Sequence, residues 1–294
     1  MNLKQDVLSR YHPAVSFFYF CSVVLFGMLF MHPVLQLFSG LGAFFYASFL
    51  SGRRAVAANT GILASIVLIS MFVNALFQHR GATVLFYFRG NRITMEALLY
   101  GVSAGLMIAA MIFWFYCAGK VLSSEKIMYL FGRILPSFSL IFSMILRFLP
   151  RFSIQAVRIY EAQKGIGFFG RGRKVESGLR ITSVLMTWAL ENAVDTADSM
   201  KARGYGTAKR SIFSRVYFGP QDAGIAVLIF LLVSVIVTGA IRGEISFQYF
   251  PMLKETSFAW GRAAVYTAYL LLCFLPLFLN LQEERKWRRL QSKI

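Results

Sequence analysis

The sequence has little of what an enzyme or an ion carrier needs. Only 13 of its 294 residues are Asp or Glu, and its apolar segments hold essentially no acidic or His side chain in mid-span, where a proton or ion carrier needs one. It has no GxxxxGK(S/T) loop, so we expect no ATP hydrolysis by this chain. Its few cysteines and histidines form no CxxC pair or Cys/His cluster, so we predict no disulfide, no metal, no cofactor and no catalytic residue. The residues in question are Cys21, Cys117 and Cys273, and three histidines that we interpret as capping or interfacial groups, His12, His32 and His79.

Apolar residues, by contrast, are abundant. Hydrophobic side chains make up 57% of the chain, 30 residues are Phe, and the mean hydropathy is +0.60. A soluble protein of this length does not carry so many apolar side chains. No short apolar stretch is followed by a small-residue cleavage site, so we expect the first apolar segment to stay in the membrane. The composition therefore predicts an all-α polytopic membrane protein.

Six apolar runs have about the length that a membrane span requires. They are Ala14–Met31, Val34–Leu50, Ala55–Phe77, Ala97–Ala118, Ala223–Ala240 and Ala263–Asn280. His32-Pro33 predicts either the tight turn of a helical hairpin or a pair of tilted, partly re-entrant segments. We thus divide the chain into a membrane part with four spans (1–118), a central region (119–221), and a second membrane part with two spans and a basic tail (222–294). Residues 78–96 are predicted to form a loop.

Basic residues are distributed unevenly. The central region holds 16 of the 31 Lys and Arg residues but 6 of the 13 acidic ones. No stretch there reaches about 18 apolar residues without a charge, so we predict no span within it. An even number of spans places both termini and the central region on one side, and the Lys and Arg excess predicts that this side is the cytoplasm. The net charge of +18 suits contact with a lipid bilayer, and without a nucleic-acid-binding motif we expect no nucleic-acid partner.

Three helical patterns run through the central region. The first starts at Ser123-Ser124-Glu125, with Ser as the N-cap, and ends at Pro136. The second runs from Pro136 to Gly165, with a kink or break predicted at Pro150. The third begins near Lys174 and stops on Ala202-Arg203-Gly204, where Gly204 and Gly206 supply the C-cap positions. The centre is therefore predicted to consist of one shorter and two long helices.

Small side chains form a stripe on the third of these helices. Ala189, Ala193 and Ala197 recur at four-residue spacing and so lie on one side of the helix. Alanines allow a second helix to approach closely, so the stripe predicts a helix crossing.

The two long helices end alike. Each closes with a small or polar residue, a cation and a glycine, in the triplets Gln163-Lys164-Gly165 and Ala202-Arg203-Gly204. One explanation is that a cation in the last turn complements the helix dipole. The other is docking, because a cation on a helix tip suits a carboxylate-lined groove, and we predict that the tips dock onto two cytoplasmic subunits. Arg offers a two-pronged donor and Lys a point charge, so the two sites are expected to differ in strength.

Four stretches carry a family resemblance: residues 12–13 (HP), 74–81 (NALFQHRG), 146–150 (LRFLP) and 199–206 (SMKARGYG). With these motifs the chain resembles the transmembrane T component of energy-coupling factor (ECF) transporters, which include cobalt-transport permeases and vitamin-uptake scaffolds. The resemblance covers most of the chain, and the last motif is the most specific. It implies a non-catalytic scaffold in a bacterial or archaeal cell membrane. Its two long coupling helices would cross in an X and insert Arg-bearing ends into grooves on two ATP-binding-cassette (ABC) ATPases.

The resemblance also implies where the rest of the chemistry lies. ATP and Mg would bind to the partner ATPases, and a separate S component would carry the substrate, a vitamin or a metal ion. The family usually has an Ala-Arg-Gly-like triplet at the end of the first coupling helix. This chain reads Gln163-Lys164-Gly165 there, so the cation and the glycine are kept while the two-pronged donor is not.

One competing function is enzymatic. Asp195, Asp198 and Arg203 resemble the opening of the CDP-alcohol phosphotransferase signature, whose paired aspartates hold a divalent metal. The positions of that signature's later glycine and second acidic pair hold Ile212, Val216 and Pro220. Without the second pair a two-metal site cannot be assembled. A solvated helix face, or pairing with a cation of the same helix, accounts for the two aspartates instead.

A second competing function is secondary transport without an ATPase. It would be distinguished by transport that survives removal of the ATPases. The scarcity of acidic and His residues in mid-span argues against it.

Overall fold

The computed structural model of the protein describes residues 6–78, 81–88, 91–132, 136–167, 174–207, 217–250, 254–255 and 260–291. These residues form nine α-helices and two short antiparallel two-stranded sheets. The helices are α1 (Pro13–Leu29), α2 (Pro33–Ser51), α3 (Arg53–Phe77), α4 (Met95–Val121), α5 (Ser124–Gly132), α6 (Pro136–Gly165), α7 (Lys174–Ala202), α8 (Pro220–Ile241) and α9 (Trp260–Gln291). The strands are β1 (Val84–Phe88), β2 (Asn91–Thr94), β3 (Phe247–Gln248) and β4 (Lys254–Glu255), and a 3-10 turn covers Val7–Ser9. The predicted all-α class is confirmed.

The predicted helices of the centre are confirmed as α5, α6 and α7. Gly204 and Gly206 have φ angles of +78° and +91°, so both glycines occupy the left-handed region as predicted. Pro150 does not end α6, which continues through it for 30 residues in all. The proline removes the N–H that would have bonded to the carbonyl of Leu146, and its ring crowds that carbonyl. The predicted break is therefore wrong, while the kink stays a prediction.

The stretch predicted as a loop at 78–96 contains a hairpin. Strand β1 pairs with β2 in antiparallel register, with Phe86 opposite Ile93 and Tyr87 opposite Arg92. The stretch is rich in aromatic and β-branched residues, which favour strands, and this composition could have predicted the hairpin.

Within the described residues, six helices are long and apolar enough to cross a membrane, by length and composition. They are α2, residues 55–77 of α3, α4, residues 140–165 of α6, α8 and residues 261–291 of α9. The predicted number is therefore confirmed, but the set differs. Helix α1 has only 17 residues, and α6 qualifies because its most apolar window carries only two arginines.

The chain divides into two compact units, residues 1–127 with 216–294 and residues 128–215. In the first unit, α4 packs against α2 and α3, while α9 packs against α2 and α8. Fully buried aromatic side chains hold the centre of this unit, namely Tyr19, Tyr46, Trp114 and Tyr269. Ring contacts join three of them, because Trp114 lies 6.1 Å from Tyr19 and 6.3 Å from Tyr46 between ring centroids.

Glycines allow α3 and α4 to approach closely. A Cβ atom at Gly101 would lie 2.8 Å from the Cα of Met71, and one at Gly105 would lie 2.8 Å from the Cα of Val67. The Ser70 hydroxyl also donates to the Gly101 carbonyl at 3.0 Å. Gly101 and Gly105, at GxxxG spacing, therefore form the surface through which α4 contacts α3, as in other membrane helix pairs.

Histidine and proline start α1 and α2. The Nδ1 atom of His12 accepts from the N–H of Ala14 at 3.2 Å, and that of His32 accepts from the N–H of Val34 at 3.3 Å. Each histidine precedes a proline at the first helical position, where the missing N–H costs nothing. The predicted capping role is confirmed for these two histidines, while His79 lies outside the described residues. Only residues 30–32 connect the two helices, so the turn at His32-Pro33 is tight, while the choice between a spanning hairpin and tilted, partly re-entrant segments stays a prediction.

The N-terminal segment, residues 6–12, brings several parts of the first unit together at one end. Asp6 accepts hydrogen bonds from Tyr46 and Asn280, each at 2.7 Å. The Lys126 ammonium donates to the carbonyl of Ser9. The N–H of His12 donates to Asp222 at 2.9 Å. The start of α1 and parts of α5, α8 and α9 therefore lie at the same end of this unit.

Candidate docking site at two helix ends

Helices α6 and α7 contact each other within the second unit through their larger side chains. The rings of Phe152 and Trp188 meet edge to face, with centroids 5.6 Å apart. The less exposed face of α7 recurs at three- and four-residue spacing, as an amphipathic helix requires. It consists of Ser177, Ile181, Leu185, Trp188, Ala189, Asn192, Thr196 and Met200.

The predicted alanine stripe lies beside this face. Ala189 is half-buried next to Trp188, whereas Ala193 and Ala197 are exposed. The contact with α6 thus uses the neighbouring face, because Phe152 and Trp188 are bulky and set the separation of the helices there. As a surface for a helix crossing, the stripe stays a prediction.

A cleft of about 490 Å³ lies between the N-terminal half of α6 and the C-terminal end of α7. Its lining includes three arginines and one carboxylate, those of Arg147, Arg151, Arg203 and Asp195. The cleft is therefore basic and suits an anionic group. Sequence reasoning did not bring these residues together, although the four-residue spacing of Arg147 and Arg151 places them on one face of α6.

The C-terminal end of α7 is a Schellman motif. The N–H of Tyr205 donates to the carbonyl of Met200 at 3.0 Å, and the N–H of Gly204 donates to that of Lys201 at 2.9 Å. Gly204 adopts φ +78°, which only a glycine tolerates without strain. Arg203 is the residue just before this glycine, is exposed, and also lines the cleft between α6 and α7.

At the end of α6, the glycine with a positive φ lies two residues after the Gly165 of the sequence triplet. Gly165 is still helical, and the positive-φ residue is Gly167, at +78°. The N–H of Gly167 donates to the carbonyl of Lys164 at 3.1 Å, and that of Ile166 donates to Ala162 at 3.2 Å. At the other tip, the N–H of Gly204 donates to the carbonyl of Lys201. The N–H of Arg203 donates to the carbonyl of Ser199 at 3.2 Å, the same distance as for Ile166.

The hydrogen bonds therefore align Gly167 with Gly204, 37 positions apart. In this alignment Ile166 corresponds to Arg203, and Lys164 corresponds to Lys201. The two triplets Gln163-Lys164-Gly165 and Ala202-Arg203-Gly204 are not equivalent in structure. The sequence comparison paired Gly165 with Gly204 because it could not tell which glycine leaves the helical conformation. A docking role for the first triplet stays a prediction, and its Lys164 and Gly165 are exposed.

The two tips lie on opposite sides of the α6–α7 contact. Arg203 lies beside the part of α6 that precedes Phe152, because it lines a cleft with residues 140–151. The α6 tip follows Phe152 by 13 residues. At about 1.5 Å per residue, each tip is about 20 Å along its helix from the Phe152–Trp188 contact. The second unit thus presents two separate ends.

Two ion pairs between described residues lie along α7, and in the first of them Arg180 is 3.5 Å from Glu176. Lys201 lies 3.9 Å from Asp198, and both side chains are more than two-thirds exposed. The interpretation of Asp198 as an intrahelical partner is confirmed. Among the residues that the structure describes, no group of three or more His, Cys, Asp or Glu side chains is placed to hold a metal ion.

Comparison with known proteins adds no assignment. No family model matches the chain, and no curated protein matches it in sequence.

Proposed function

We propose that the chain is the transmembrane scaffold, or T component, of an ECF-type ABC importer. The ends of α6 and α7 dock onto two cytoplasmic ABC ATPases, and a separate S component binds a vitamin or metal ion. The observation that carries this proposal is the pair of exposed, glycine-capped helix ends on opposite sides of one helix contact. Two such ends suit two partner subunits, and five other described helices, α2, α3, α4, α8 and α9, are long and apolar enough to span a membrane.

The contacts of the N-terminal segment support a central region whose first and last residues lie on the same side of the membrane. Lys126 contacts Ser9, and Asp222 contacts His12, so both ends of the intervening chain lie at the same end of the first unit. An odd number of spans between them would separate these ends. Because α6 qualifies as a span and α7 does not, a single crossing by α6 does not fit. We infer that both helices stay on one side and that α1, a 17-residue apolar helix, is the sixth span in place of α6.

The same contacts support placing both termini together. Val7 donates to Asn280 at 3.0 Å, and Arg10 lies 3.4 Å from Glu283. The side that holds these residues also holds the basic central region, so the excess of Lys and Arg makes it the cytoplasm. The ATPases would then meet the tips of α6 and α7 in the compartment where ATP is available.

In the proposed mechanism, ATP and Mg bind to the ATPases and this chain transmits the motion. Closure of the two ATPases changes the distance between the grooves that hold the tips. Because each tip is about 20 Å from the Phe152–Trp188 contact, the two helices act as levers about that contact. Small shifts at packed helix interfaces, of about 1–2 Å, are a known means of coupling, and here they would tilt the elements that hold the S component.

The first test is affinity purification of the full-length chain from its native membrane in mild detergent. We expect the wild type to recover subunits with a GxxxxGK(S/T) loop, identified by mass spectrometry. Arg203→Glu should lower their recovery about tenfold or more, because it places a carboxylate against an acidic groove. Arg158→Glu is the matched control, since Arg158 is exposed on α6 outside the cleft.

Two results would contradict the proposal. One is a wild-type chain that recovers no ATP-binding subunit, which would return the chain to the secondary-transporter interpretation. The other is equal recovery with Arg203→Glu and with Arg158→Glu, which would leave Arg203 as an ordinary helix-end cation.

A further inference from the structure

The basic cleft between α6 and α7 holds more positive charge than its own residues neutralise. Three arginines line it, Arg147, Arg151 and Arg203, and Asp195 is the one carboxylate of the lining. Within the part of the chain that the structure describes, none of these four side chains forms an ion pair. The lining therefore has an excess of two positive charges, which an anionic ligand would neutralise.

Arg147 and Arg151 are placed to hold one anionic group together. Residues four apart lie on the same side of a helix, with Cβ atoms about 5–6 Å from each other. Each guanidinium offers parallel N–H donors that match two phosphate oxygens. The lining also includes the amide of Asn192 and the hydroxyl of Ser199, which can donate uncharged hydrogen bonds to the same group. The cleft thus has the donors of a phosphate site.

Apolar side chains surround the two arginines of α6. The other α6 residues of the lining are Leu140, Met144 and Phe148. The residues that directly follow them are about half exposed, namely Ile141, Ile145 and Leu149. A free phosphate ion gains nothing from such a surface, whereas a phospholipid buries acyl chain against it. The combination therefore favours a phosphate that is attached to a lipid.

Helix α6 has the composition of a helix that lies in the membrane interface. Its residues 140–165 are apolar enough for a span, and no residue of their most apolar window is buried. Because α6 stays on one side of the membrane in the function proposed above, it cannot cover this surface by crossing the bilayer. An amphipathic helix in the interface buries its apolar face among the lipids and keeps its arginines at the level of the headgroups.

We propose, on the basis of the one-sided α6 of the proposed function, that the cleft binds the headgroup phosphate of an anionic phospholipid. Arg147 and Arg151 hold the phosphate, and the exposed apolar residues beside them contact the acyl chains. Arg203 adds positive charge to the cleft and keeps its role toward the ATPase. The excess positive charge selects a lipid with a net negative charge, since a zwitterionic lipid carries a cation of its own. The bound lipid fixes the N-terminal half of α6 at the membrane surface.

The test is native mass spectrometry of the purified full-length chain, without ATPases, in detergent with added dioleoyl phosphatidylglycerol. Arg147→Gln/Arg151→Gln should retain about tenfold less of this lipid than the wild type, because it loses two charge-assisted contacts. Arg158→Gln/Lys164→Gln is the matched control, since it removes two charges from exposed positions of α6 outside the cleft. The control should retain the lipid within about twofold of the wild type. Circular dichroism verifies that each variant is folded.

Two further ligands identify the source of the phosphate. Dioleoyl phosphatidylcholine has the same acyl chains without the net charge, and the wild type should retain about tenfold less of it. Inorganic phosphate, added in large molar excess, should leave retention of phosphatidylglycerol within about twofold, because the free ion lacks the acyl chains.

Three outcomes would overturn the inference. Equal retention of phosphatidylglycerol by the two double variants would remove the lipid from the cleft. If Arg147→Gln/Arg151→Gln then also lost the ATP-binding subunits in the purification from native membrane, the cleft would belong to a carboxylate of an ATPase. Displacement of the lipid by inorganic phosphate would assign the cleft to a free ion, and equal retention of the two lipids would remove the selection by charge.

Each of these outcomes leaves the scaffold function standing. A wild-type chain that retains phosphatidylglycerol through Arg147 and Arg151 but recovers no ATP-binding subunit would overturn the scaffold function and leave the lipid site. The two experiments therefore fail independently of each other.

Discussion

Buried polar side chains of the first unit are joined to each other across long stretches of chain. The carboxylate of Asp6 is 6% exposed and accepts from Tyr46 and Asn280, and Asn280 in turn accepts from the N–H of Val7. A buried carboxylate is stable only when its oxygens accept hydrogen bonds. These bonds therefore fix the N-terminal segment to α2 and α9.

Tyr46→Phe should lower the stability of the first unit. The substitution keeps the ring but leaves one oxygen of Asp6 without its donor, at a cost of about 1–3 kcal/mol. The measurement is thermal unfolding of the purified chain in detergent. Tyr116→Phe is the control, because Tyr116 makes an exposed hydrogen bond to Ser51 at 2.9 Å. Equal unfolding temperatures for the two variants would show that the Asp6 network does not support the fold.

The distance between two packed helices in this protein depends on the size of the residues at their contact. Gly101 and Gly105 bring α3 and α4 to backbone contact, whereas Phe152 and Trp188 hold α6 and α7 apart at the ring contact. Close packing through glycine gives van der Waals contact that any added side chain would disrupt. The α3–α4 pair is thus the more sensitive of the two to enlargement.

Gly101→Ala should destabilise the first unit by about 1–3 kcal/mol, as overpacking does. The new methyl group would lie 2.8 Å from the Met71 Cα, and backbone atoms cannot move aside as a flexible side chain can. Gly119→Ala in the same helix is the control, since a Cβ there meets nothing within 4 Å. It should be neutral or stabilising, by up to about 1 kcal/mol from helix propensity. Chemical denaturation followed by circular dichroism measures both, and a smaller loss for Gly101→Ala than for Gly119→Ala would contradict this account.

The two units differ in how much apolar surface they cover. The first has a buried core of aromatic and aliphatic residues. In the second, large apolar side chains of α6 and α7 are exposed, among them Ile154, Val157, Leu179, Met186 and Leu190. A soluble monomer rarely leaves such a surface uncovered. The second unit is therefore suited to contact with lipid.

Cysteine labelling tests the proposed sidedness of the whole chain. In a background with Cys21, Cys117 and Cys273 replaced by Ser, single cysteines replace Tyr87, Lys164 and Glu283. A membrane-impermeant maleimide should label Tyr87→Cys in intact cells, because the β1–β2 hairpin follows three spans. It should label Lys164→Cys and Glu283→Cys only after permeabilisation. Labelling of Lys164→Cys from outside would show that α6 crosses the membrane.

Local backbone chemistry explains which features the sequence could predict. Helix periodicity, the glycines after α7 and the histidine–proline caps of α1 and α2 depend on neighbours within about four residues. For that reason the bounds of α6 and α7 and the positive φ of Gly204 were predictable. Apolar run length predicted the number of candidate spans, but not that α6 would qualify in place of α1.

Some features could be identified only from the folded structure, because they depend on residues far apart in sequence or on which of two similar neighbouring residues adopts a conformation. Gly165 and Gly167 are both glycines, and only the backbone shows that the second leaves the helix and sets Ile166 opposite Arg203 in the alignment of the tips. The Asp6–Asn280 bond joins residues 274 positions apart, and the basic cleft unites two helices. Pattern in a sequence reports propensities over a few residues, whereas packing selects one partner among many that are chemically alike.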